Sequence, residues 1–387
     1  MDNKRVTDKA EVCIIGAGIF GICSGYFLAK RGYKVIIIDR DYISQRASGC
    51  NAGSLAVQNK HQENLIFLAR KSIDIWDYFR KIDKNIEYKR CGGFRVAETE
   101  SEAKILKEEQ KKQKGLGLKV EYLENKDLLK AAPYLSKHLY AANYCKFDGF
   151  ADARTAVKNI AKLAMKAGVK FILYNKVNKI KTKSNIIRLD TNQGVFEAEK
   201  LILASGVWTG EFFKNLGIKI PIYIKVHQLM VSAPERPVIK NVITHVNGNL
   251  TVKQFDIGTV VIGGGWEGIG DLARDEKKLL ISSIKGNSNI ACRVIPGISK
   301  FLINRIWSGF NGDTKDELPL FGKLSGYENI YVNGCTSAGF TIGPYLGKLI
   351  AELVDEGKTS EDVRYLSPNR FVRQKINTNK IDSFQDL

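Results

Sequence analysis

The sequence contains few of the residues that build metal sites and disulfide frameworks. Its 387 residues include seven cysteines, an odd number without a C-x-x-C pair, and four histidines without metal-ligand spacing. Cys13 and Cys23 lie in apolar segments and are expected to be small core residues. We therefore expect neither a disulfide framework nor a metal site.

Long hydrophobic runs are also lacking. The apolar stretch at residues 12–29 is interrupted by four glycines and follows an N-terminus of mixed charge. A signal peptide or a membrane-spanning helix needs an uninterrupted apolar segment. The sequence thus predicts no membrane span, and a cytoplasmic location follows by default.

Acidic residues are too few to balance the basic ones. Lys and Arg number 60 against 41 Asp and Glu, which gives a formal net charge of +19. This charge suits a nucleic acid, an anionic membrane, an acidic partner subunit or an anionic substrate. The alternative is a lysine-rich sequence on ordinary solvated faces, and segment 104–119 mixes both signs at helical spacing in this way. We favour the solvated faces and expect no nucleic acid partner.

A dinucleotide-binding fingerprint stands near the N-terminus. An apolar strand, 12–15, precedes the turn Gly16-Ala17-Gly18-Ile19-Phe20-Gly21, and a second strand, 35–38, ends at Asp39. The three glycines permit a tight turn, close approach of the backbone to a pyrophosphate, and close packing of the following helix. The helix N-terminus attracts phosphate, and the acid can accept a hydrogen bond from a ribose hydroxyl. The pattern predicts a Rossmann-like site for FAD or NAD.

Alternating helical and strand patterns continue along the chain and predict an α/β protein, α+β overall. A hydrophobic content of 44% and a charged content of 26% are those of a globular protein. Helices are predicted at 72–81, 102–114, 125–131, 155–167, 276–289 and from Pro344 to Glu356. Strands are predicted at 169–173, 186–190, 195–198, 201–204, 223–232, 250–254, 259–263 and 330–333.

Four motifs in order resemble the FAD-dependent D-amino-acid-oxidase-like superfamily, which includes glycine oxidase and sarcosine oxidase. They are the glycine turn with Asp39, the segment 48–58 (SGCNAGSLAVQ), the segment 201–208 (LILASGVW), and a C-terminal group. That group comprises Arg305-x-Trp307-x-Gly309, residues 314–322 and residues 334–344. The segment 48–58 is most similar to the branch containing hydrogen cyanide synthase, opine oxidase and hydroxyproline or proline dehydrogenase flavoprotein subunits.

The resemblance implies a Rossmann-like FAD-binding domain with an interleaved substrate domain built on an antiparallel sheet. The FAD-binding domain would comprise residues 1–84, 146–221 and 321–366, and the substrate-binding domain residues 85–145 and 222–320. Residues 367–387 would form a polar tail.

The resemblance also implies the residues that hold the cofactor. They are Gly16, Ala17, Gly18, Ile19, Phe20, Gly21, Asp39, Arg40, Ser48, Asn51, Ala52, Gly53, Ser54, Val177, Ala204, Gly206, Trp208, Gly339, Phe340 and Thr341. The helix expected to begin at Pro344 would point its N-terminus at the flavin and stabilise the negative charge of the reduced form. No histidine lies near Ser48, and Cys335 stands in a context unlike that of covalent relatives, so we expect non-covalent FAD.

The substrate side departs from the family pattern. Several relatives hold the substrate carboxylate with an arginine just after the Trp-x-Gly motif, where this chain has Phe310-Asn311. The candidates to replace that arginine are Arg305, Lys253, Arg95 and His227. The predicted pocket residues are His227, Gln228, Gln254, Trp266, Glu267 and Arg305, and His61 could also reach the site.

The predicted activity is FAD-dependent oxidation of a small-molecule amine: glycine, sarcosine, a proline-like amino acid or an opine. Hydride would pass from the α-carbon to flavin N5, giving an imine that water hydrolyses. The electron acceptor would be oxygen, a quinone or a partner subunit. One alternative is the flavoprotein subunit of a heteromeric dehydrogenase; others are a tRNA-modifying flavoprotein domain and a non-catalytic subunit that binds a nucleotide for assembly.

Overall fold

The structure is a computed structural model that describes residues 6–371. Its helices are α1 (Ile19–Ala29), α2 (Ala47–Cys50), α3 (Glu63–Ile82), α4 (Glu100–Gly115), α5 (Asn125–Ala131), α6 (Ala153–Lys166), α7 (Thr209–Asn215), α8 (Ile281–Val294) and α9 (Gly339–Glu356). Its strands are β1 (Val6–Ile15), β2 (Val35–Ile38), β3 (Ser54–Leu55), β4 (Tyr88–Lys89), β5 (Gly93–Ala97), β6 (Val120–Glu124), β7 (Ala141–Cys145), β8 (Gly149–Ala151), β9 (Lys170–Ile172), β10 (Val177–Lys183), β11 (Ile186–Thr191), β12 (Gly194–Leu203), β13 (Tyr223–Ser232), β14 (Val242–His245), β15 (Thr251–Gln254), β16 (Val260–Gly263), β17 (Ile269–Asp271), β18 (Glu276–Lys278), β19 (Ile303–Asp313), β20 (Leu320–Lys323) and β21 (Ile330–Gly334).

The first sheet has the order β10-β11-β12-β1-β2-β9, with β21 beside β12 and β20 beside β21. Strands β21, β12, β1, β2 and β9 run parallel to one another, with Ile14 opposite both Ile37 and Ile202. Ile14 packs with α1, α3, α6 and α9 on one face, while Cys13 packs on the other face with residues from β10 to β12. Burial on both faces explains why the second half of β1, residues 12–15, is a continuous apolar run.

The second sheet has the order β19-β13-β16-β15-β14-β5-β7-β6 and is antiparallel except where β14 pairs with β5. Helix α8 covers one face, where Ile290 and Ala291 pack with Met230, Val252 and Ile262. The predicted combination of a Rossmann-like layer with an antiparallel sheet is therefore confirmed. The exact domain boundaries stay a prediction, and the predicted tail lies outside the described residues from position 372 onward.

Three predicted helix boundaries were wrong. The helix predicted to begin at residue 72 is α3, which begins at Glu63. Residues 276–278 form strand β18, which pairs with β17 in a hairpin, and the helix begins only at Ile281. Helix α9 begins at Gly339, so that Pro344 lies inside it. Added β-carbons at Gly343 and Gly347 would lie 3.0 Å from Ile19 and 2.5 Å from Cys23. Close packing on α1 thus holds this segment helical despite the N–H that proline lacks.

A predicted break between two strands was also wrong. The segments 195–198 and 201–204 were expected to be separate, but β12 runs from Gly194 to Leu203. Its first half pairs with β11, as predicted for the hairpin, and its second half pairs with β21. Between the two halves, Glu199 is exposed and Lys200 is half-buried. Within residues 6–371, no helix combines the length and apolar character needed to cross a membrane.

Candidate active site

The glycine turn is fixed by two side chains, one just after strand β2 and one in helix α2. Asp39 accepts hydrogen bonds from the backbone N–H of Ala17 (2.6 Å) and of Asp41 (2.8 Å). Burial raises the pKa of Asp39, while these two hydrogen bonds oppose the shift. Ser48 accepts from the N–H of Ile19 at the start of α1 (2.9 Å). Acid and hydroxyl therefore fix the backbone that a pyrophosphate would meet.

Glycine is sterically required at the ends of this turn. Gly16 has φ +115°, and a β-carbon there would lie 2.4 Å from the carbonyl oxygen of Ala204. A β-carbon at Gly21 would lie 1.9 Å from the carbonyl oxygen of Gly16. Neither contact is compatible with a larger residue in the same backbone. The predicted roles of both glycines, tight turn and close helix packing, have this physical basis.

A cleft of about 1260 Å³ extends from Asp39 to the N-terminus of α9. The predicted cofactor residues that line it are Gly16, Ala17, Gly18, Ile19, Phe20, Asp39, Arg40, Ser48, Asn51, Val177, Ala204, Gly206, Trp208, Gly339 and Phe340. Gly21, Ala52, Gly53, Ser54 and Thr341 are not part of this lining.

The lining offers hydrogen-bonding atoms that the protein leaves unused. Arg40 Nη2, Ser44 Oγ and Asn175 Nδ2 are buried and have no hydrogen-bond partner within the described chain. All three residues face the cleft near Asp39. Buried polar atoms without partners are costly unless a ligand satisfies them. Together with the anion-binding turn, this donor set fits the adenosine diphosphate half of FAD.

Several lining residues were missed by sequence reasoning, and Arg46 is the most informative. Its guanidinium bonds to Asp41 (2.7 Å) and to Asp275 in the turn between β17 and β18 (2.7 Å). The guanidinium carbons of Arg40 and Arg46 lie 4.0 and 5.3 Å from the ring centre of Trp208. Arg46 also lines a second cavity of about 580 Å³ beside the cleft, with Lys277 and Ser308. No local pattern signals the contacts of Arg46 with Asp275 and Trp208, because these residues are far from Arg46 in sequence.

The second sheet presents a polar face toward residues 50–54, here called the 50–54 loop. We call this face the site face, and its residues are Lys225, His227, Thr251, Lys253, Trp307 and Asn311. The indole N–H of Trp307 donates to the carbonyl of Cys50 (2.8 Å), and Ser54 Oγ lies 3.0 Å from Thr251 Oγ1. The site face is thereby fixed over both ends of the loop.

One end of the site face reaches the start of α9. Asn311 donates to Ser337 Oγ (2.8 Å), and the Ser337 hydroxyl donates to Asp313. Burial raises the pKa of Asp313, whereas Ser337 and Lys225 oppose the shift. Lys225 Nζ lies 3.7 Å from the Asp313 carboxylate. Asn311 thus occupies the position where an arginine was expected, and its amide joins the sheet to the cleft.

Two of the predicted pocket residues lie on the opposite face of this sheet. Gln228 accepts from the N–H of Leu280 (2.6 Å) and donates to the carbonyl of Glu267 (3.3 Å). Gln254 accepts from the N–H of Val238 (2.7 Å), and its amide N–H groups donate to the carbonyls of Glu235, Arg236 and Gly258. Strand alternation puts both glutamines with Val252 and Met230, away from the 50–54 loop. Their polar groups are used to hold connecting segments.

The remaining candidate residues differ in whether their polar groups are free to bind a substrate. Arg95 is buried and bonds to Glu109 (2.9 Å) and to the carbonyl of Val246 (2.7 Å), so its charge is already matched. Arg305 is exposed on β19. The indole of Trp266 donates to the carbonyl of Asn249 (2.8 Å).

The two histidine candidates lie in different surroundings. Burial lowers the pKa of His227, which favours a neutral imidazole. His61 is exposed and lies 3.8 Å from Glu109. Of the two, His227 is therefore the one on the site face.

Comparisons with known proteins give one consistent result. A family model described as FAD dependent oxidoreductase matches residues 11–353. Glycine oxidase from Geobacillus kaustophilus is 27% identical over 377 residues, which cover 95% of this chain and 98% of that protein. Its crystal structure gives a TM-score of 0.88 at 25% identity, over 94% of this chain and 99% of that chain.

Two further proteins are similar over nearly their whole length. One of the subunits of opine oxidase from Rhizobium meliloti is 22% identical over 378 residues, covering 95% of this chain and 99% of that protein. The crystal structure of L-proline dehydrogenase from P. horikoshii gives a TM-score of 0.87 at 26% identity. That match covers 94% of this chain and 98% of the other.

Proposed function

This chain belongs to the family of FAD-dependent oxidoreductases, and on that premise we propose that it oxidises an amino acid or an N-substituted amino acid. FAD, when bound, accepts a hydride from the α-carbon of the amine, and the resulting imine hydrolyses. The observation that carries the proposal is the site face lying over the 50–54 loop, next to the cleft that fits FAD. A small substrate between them would meet both the cofactor and the second sheet.

The contribution of the chain is binding and orientation. Asp39 and Ser48 fix the glycine turn so that the N-terminus of α1 faces the phosphates, and the first turn of α9 lies at the other end of the cleft. His227 stands on the site face as a neutral imidazole at neutral pH, since burial lowers its pKa. A neutral imidazole can take a proton from the substrate ammonium group as a general base, which leaves the amine uncharged. We propose that FAD is held without a covalent bond.

The substrate class is supported by what the similar proteins act on. Glycine oxidase and L-proline dehydrogenase are similar to this chain along almost its entire length. Their two names cover a primary and a secondary amine, both on a carbon next to a carboxylate. The candidate substrates are therefore glycine, sarcosine, proline-like amino acids and opines.

The test is anaerobic bleaching of the flavin. The purified holoenzyme is mixed with glycine, sarcosine, L-proline, D-proline and an opine in turn, and the visible absorbance is followed. Loss of the flavin band with one of them identifies the substrate and the reaction together. A matched measurement with His227→Asn separates binding from chemistry, because KM and kcat are then compared for the same amine. A holoenzyme that none of these amines bleaches would contradict the proposed substrate class.

A second candidate, the flavoprotein subunit of a heteromeric dehydrogenase, is favoured by the similarity to the opine oxidase subunit. In that case electrons leave to a partner subunit or a quinone rather than to oxygen. Air reoxidation of the substrate-reduced protein distinguishes the two. Rapid reoxidation in air supports an oxidase, whereas slow reoxidation that a quinone accelerates supports a dehydrogenase.

A further inference from the structure

Lys253 is a buried lysine on the site face that has no carboxylate partner among residues 6–371. Its side chain is fully buried, and its Nζ lies 2.5 Å from Ser54 Oγ and 3.3 Å from Thr251 Oγ1. Within the described part of the chain, the one titratable group whose charge acts on Lys253 is the Cys91 thiol. Burial raises the pKa of that thiol to about 11, which leaves it neutral. The ammonium group is therefore surrounded by neutral partners.

Such an arrangement is unusual, because a buried charge normally pairs with an opposite one. Burial lowers the pKa of Lys253 to about 7, so near neutral pH the protonated and neutral forms coexist. An anion arriving nearby would favour the protonated form. When protonated, Lys253 thus carries a positive charge that no acidic group of the described chain neutralises.

The two hydroxyl groups in front of Lys253 connect it to the site. A protonated lysine only donates hydrogen bonds, so Ser54 Oγ and Thr251 Oγ1 must both accept from it. One hydroxyl hydrogen bridges Ser54 and Thr251 across 3.0 Å. The other has no acceptor within the described chain, and both residues are partly exposed. The pair can therefore donate one hydrogen bond outward, backed by the positive charge.

We propose that Lys253, acting through the Ser54 and Thr251 hydroxyl groups, is the positioning residue that binds the substrate carboxylate. The assignment rests on the proposed function, since it presumes a substrate that carries a carboxylate. The Ser54 and Thr251 hydroxyl pair makes the hydrogen bond to the carboxylate, and the positive charge of Lys253 behind the pair strengthens that bond. A neutral lysine would instead accept one hydroxyl hydrogen and withdraw the outward donor.

Three of the other basic side chains of the region are already paired. Arg95 bonds to Glu109, Arg46 to Asp41 and Asp275, and Lys225 lies beside Asp313. At the position where relatives carry an arginine, the Asn311 side chain donates to Ser337. The first turn of α9 lines the cleft that fits the flavin, and Thr341 Oγ1 in that turn donates to the Ser54 carbonyl (3.1 Å). A carboxylate is thus the anion that lacks any other partner here.

The experiment titrates the holoenzyme with propionate, which cannot be oxidised as an amine, and follows the flavin spectrum. In the unaltered protein we expect the dissociation constant to be lowest below pH 7 and to rise about tenfold per pH unit above it, as the Lys253 cation is lost. Lys253→Met should weaken propionate binding by about 30-fold at pH 6.5 and abolish this pH dependence. Lys253→Arg should bind propionate without the pH dependence, because arginine stays charged.

Matched controls separate this role from a structural one. Lys60→Met removes another lysine whose pKa burial lowers, here to about 8, but which interacts with Asp148, and it should leave propionate binding unchanged. Thr251→Val should weaken propionate binding while retaining Lys253. Propionamide, which carries no charge, should bind equally weakly to the unaltered protein and to Lys253→Met.

Three results would overturn the assignment. One is a propionate affinity of the unaltered protein that does not change between pH 6 and pH 9, a test that needs no variant to fold. Another is the absence of any spectral change with propionate. The third is a lower flavin midpoint potential in Lys253→Met with unchanged propionate binding. That result would show that the Lys253 charge acts on the flavin rather than on the substrate carboxylate. Propionate binding requires no turnover. The role of Lys253 can therefore be tested even if none of the amines bleaches the flavin.

Discussion

The indole Nε1 of Trp307 donates a 2.8 Å hydrogen bond to the carbonyl of Cys50, and thereby joins β19 of the second sheet to the 50–54 loop. Trp266 makes a hydrogen bond of the same length to the carbonyl of Asn249 within the second sheet region. The two tryptophans thus make similar bonds in different places. Only the first of them spans from the sheet to the FAD side of the molecule.

Replacing each tryptophan by phenylalanine tests that difference. Each change removes one N–H donor and should cost about 1 kcal/mol of folding free energy. Trp307→Phe should in addition alter the flavin absorbance and weaken FAD binding, because the 50–54 loop loses its hydrogen bond to β19. Trp266→Phe should have neither effect. Thermal unfolding and FAD titration of the two apoproteins provide the comparison. Equal FAD affinities for both variants would show that the Trp307 bond is merely structural.

Gly21→Ala should prevent stable binding of FAD. The new methyl group would lie 1.9 Å from the carbonyl oxygen of Gly16, so α1 or the turn must move. Overpacking of this kind costs about 1–3 kcal/mol, and the displacement affects the phosphate site directly. FAD retained after gel filtration is the measurement. The control is Gly115→Ala at the end of α4, where nothing lies within 4 Å and the cofactor should be retained in full.

Asp275→Asn should accelerate FAD release. Burial raises the pKa of Asp275, but Lys277 and Arg46 outweigh it and hold this pKa below the usual value. The Asp275 charge therefore persists down to acidic pH, and the ion pair to Arg46 should be lost only as pH falls through the lowered pKa. We expect FAD to dissociate several-fold faster in the variant, since one exposed ion pair contributes about 0.2–1 kcal/mol.

The control for that experiment lies on the same hairpin. Glu276→Gln removes an exposed carboxylate one residue away and should leave the release rate unchanged. Stopped-flow fluorescence of released FAD measures both variants. Identical release rates for the two would refute a contribution of the Arg46–Asp275 pair.

His245→Gln should make the protein less sensitive to mild acid. The imidazole is buried, its Nδ1 accepts from the N–H of Asn247 (3.2 Å), and its Nε2 has no hydrogen-bond partner among the described residues. Burial lowers the pKa of His245, although Glu102 and Glu98 oppose the shift. The unfolded chain therefore binds a proton near its ordinary pKa of about 6.5 while the folded chain does not, so stability falls as pH drops from there through the lowered pKa.

Thermal unfolding at pH 7.5 and pH 5.5 measures this effect. The difference in Tm between the two pH values should be smaller in His245→Gln than in the unaltered protein. His61→Gln, which changes an exposed histidine, should keep the original difference. A His245→Gln variant with the same acid sensitivity as the parent would count against the imidazole as its source.

Local patterns predicted the nucleotide-binding half of the molecule well. The glycine turn, its flanking strands and Asp39 act within about 25 residues of sequence, and the steric limits at Gly16 and Gly21 follow from the backbone itself. The resemblance to the superfamily is confirmed by the family match across residues 11–353. Helix α5 was predicted with its observed bounds, because its apolar spacing and its ends are both local.

The substrate side was less predictable because strand register decides it. Lys253 and Gln254 are neighbours in sequence, yet the strand puts one toward the 50–54 loop and the other toward α8. Arg95 and Lys253 looked equivalent as isolated basic residues, but Glu109 matches the charge of Arg95, whereas no carboxylate among residues 6–371 pairs with Lys253. The start of α9 likewise depended on packing against α1 rather than on proline.

By itself the sequence determined the dinucleotide turn, the alternation of helices and strands and the family, since each of these depends on residues close together in the chain or on the order of motifs. The tertiary structure alone decided which polar side chains face the cofactor cleft, which charges are already paired, and that Ser54 meets Thr251 across 197 residues. Those contacts depend on how the two sheets approach each other, and the long-range packing that sets this approach has no local signature.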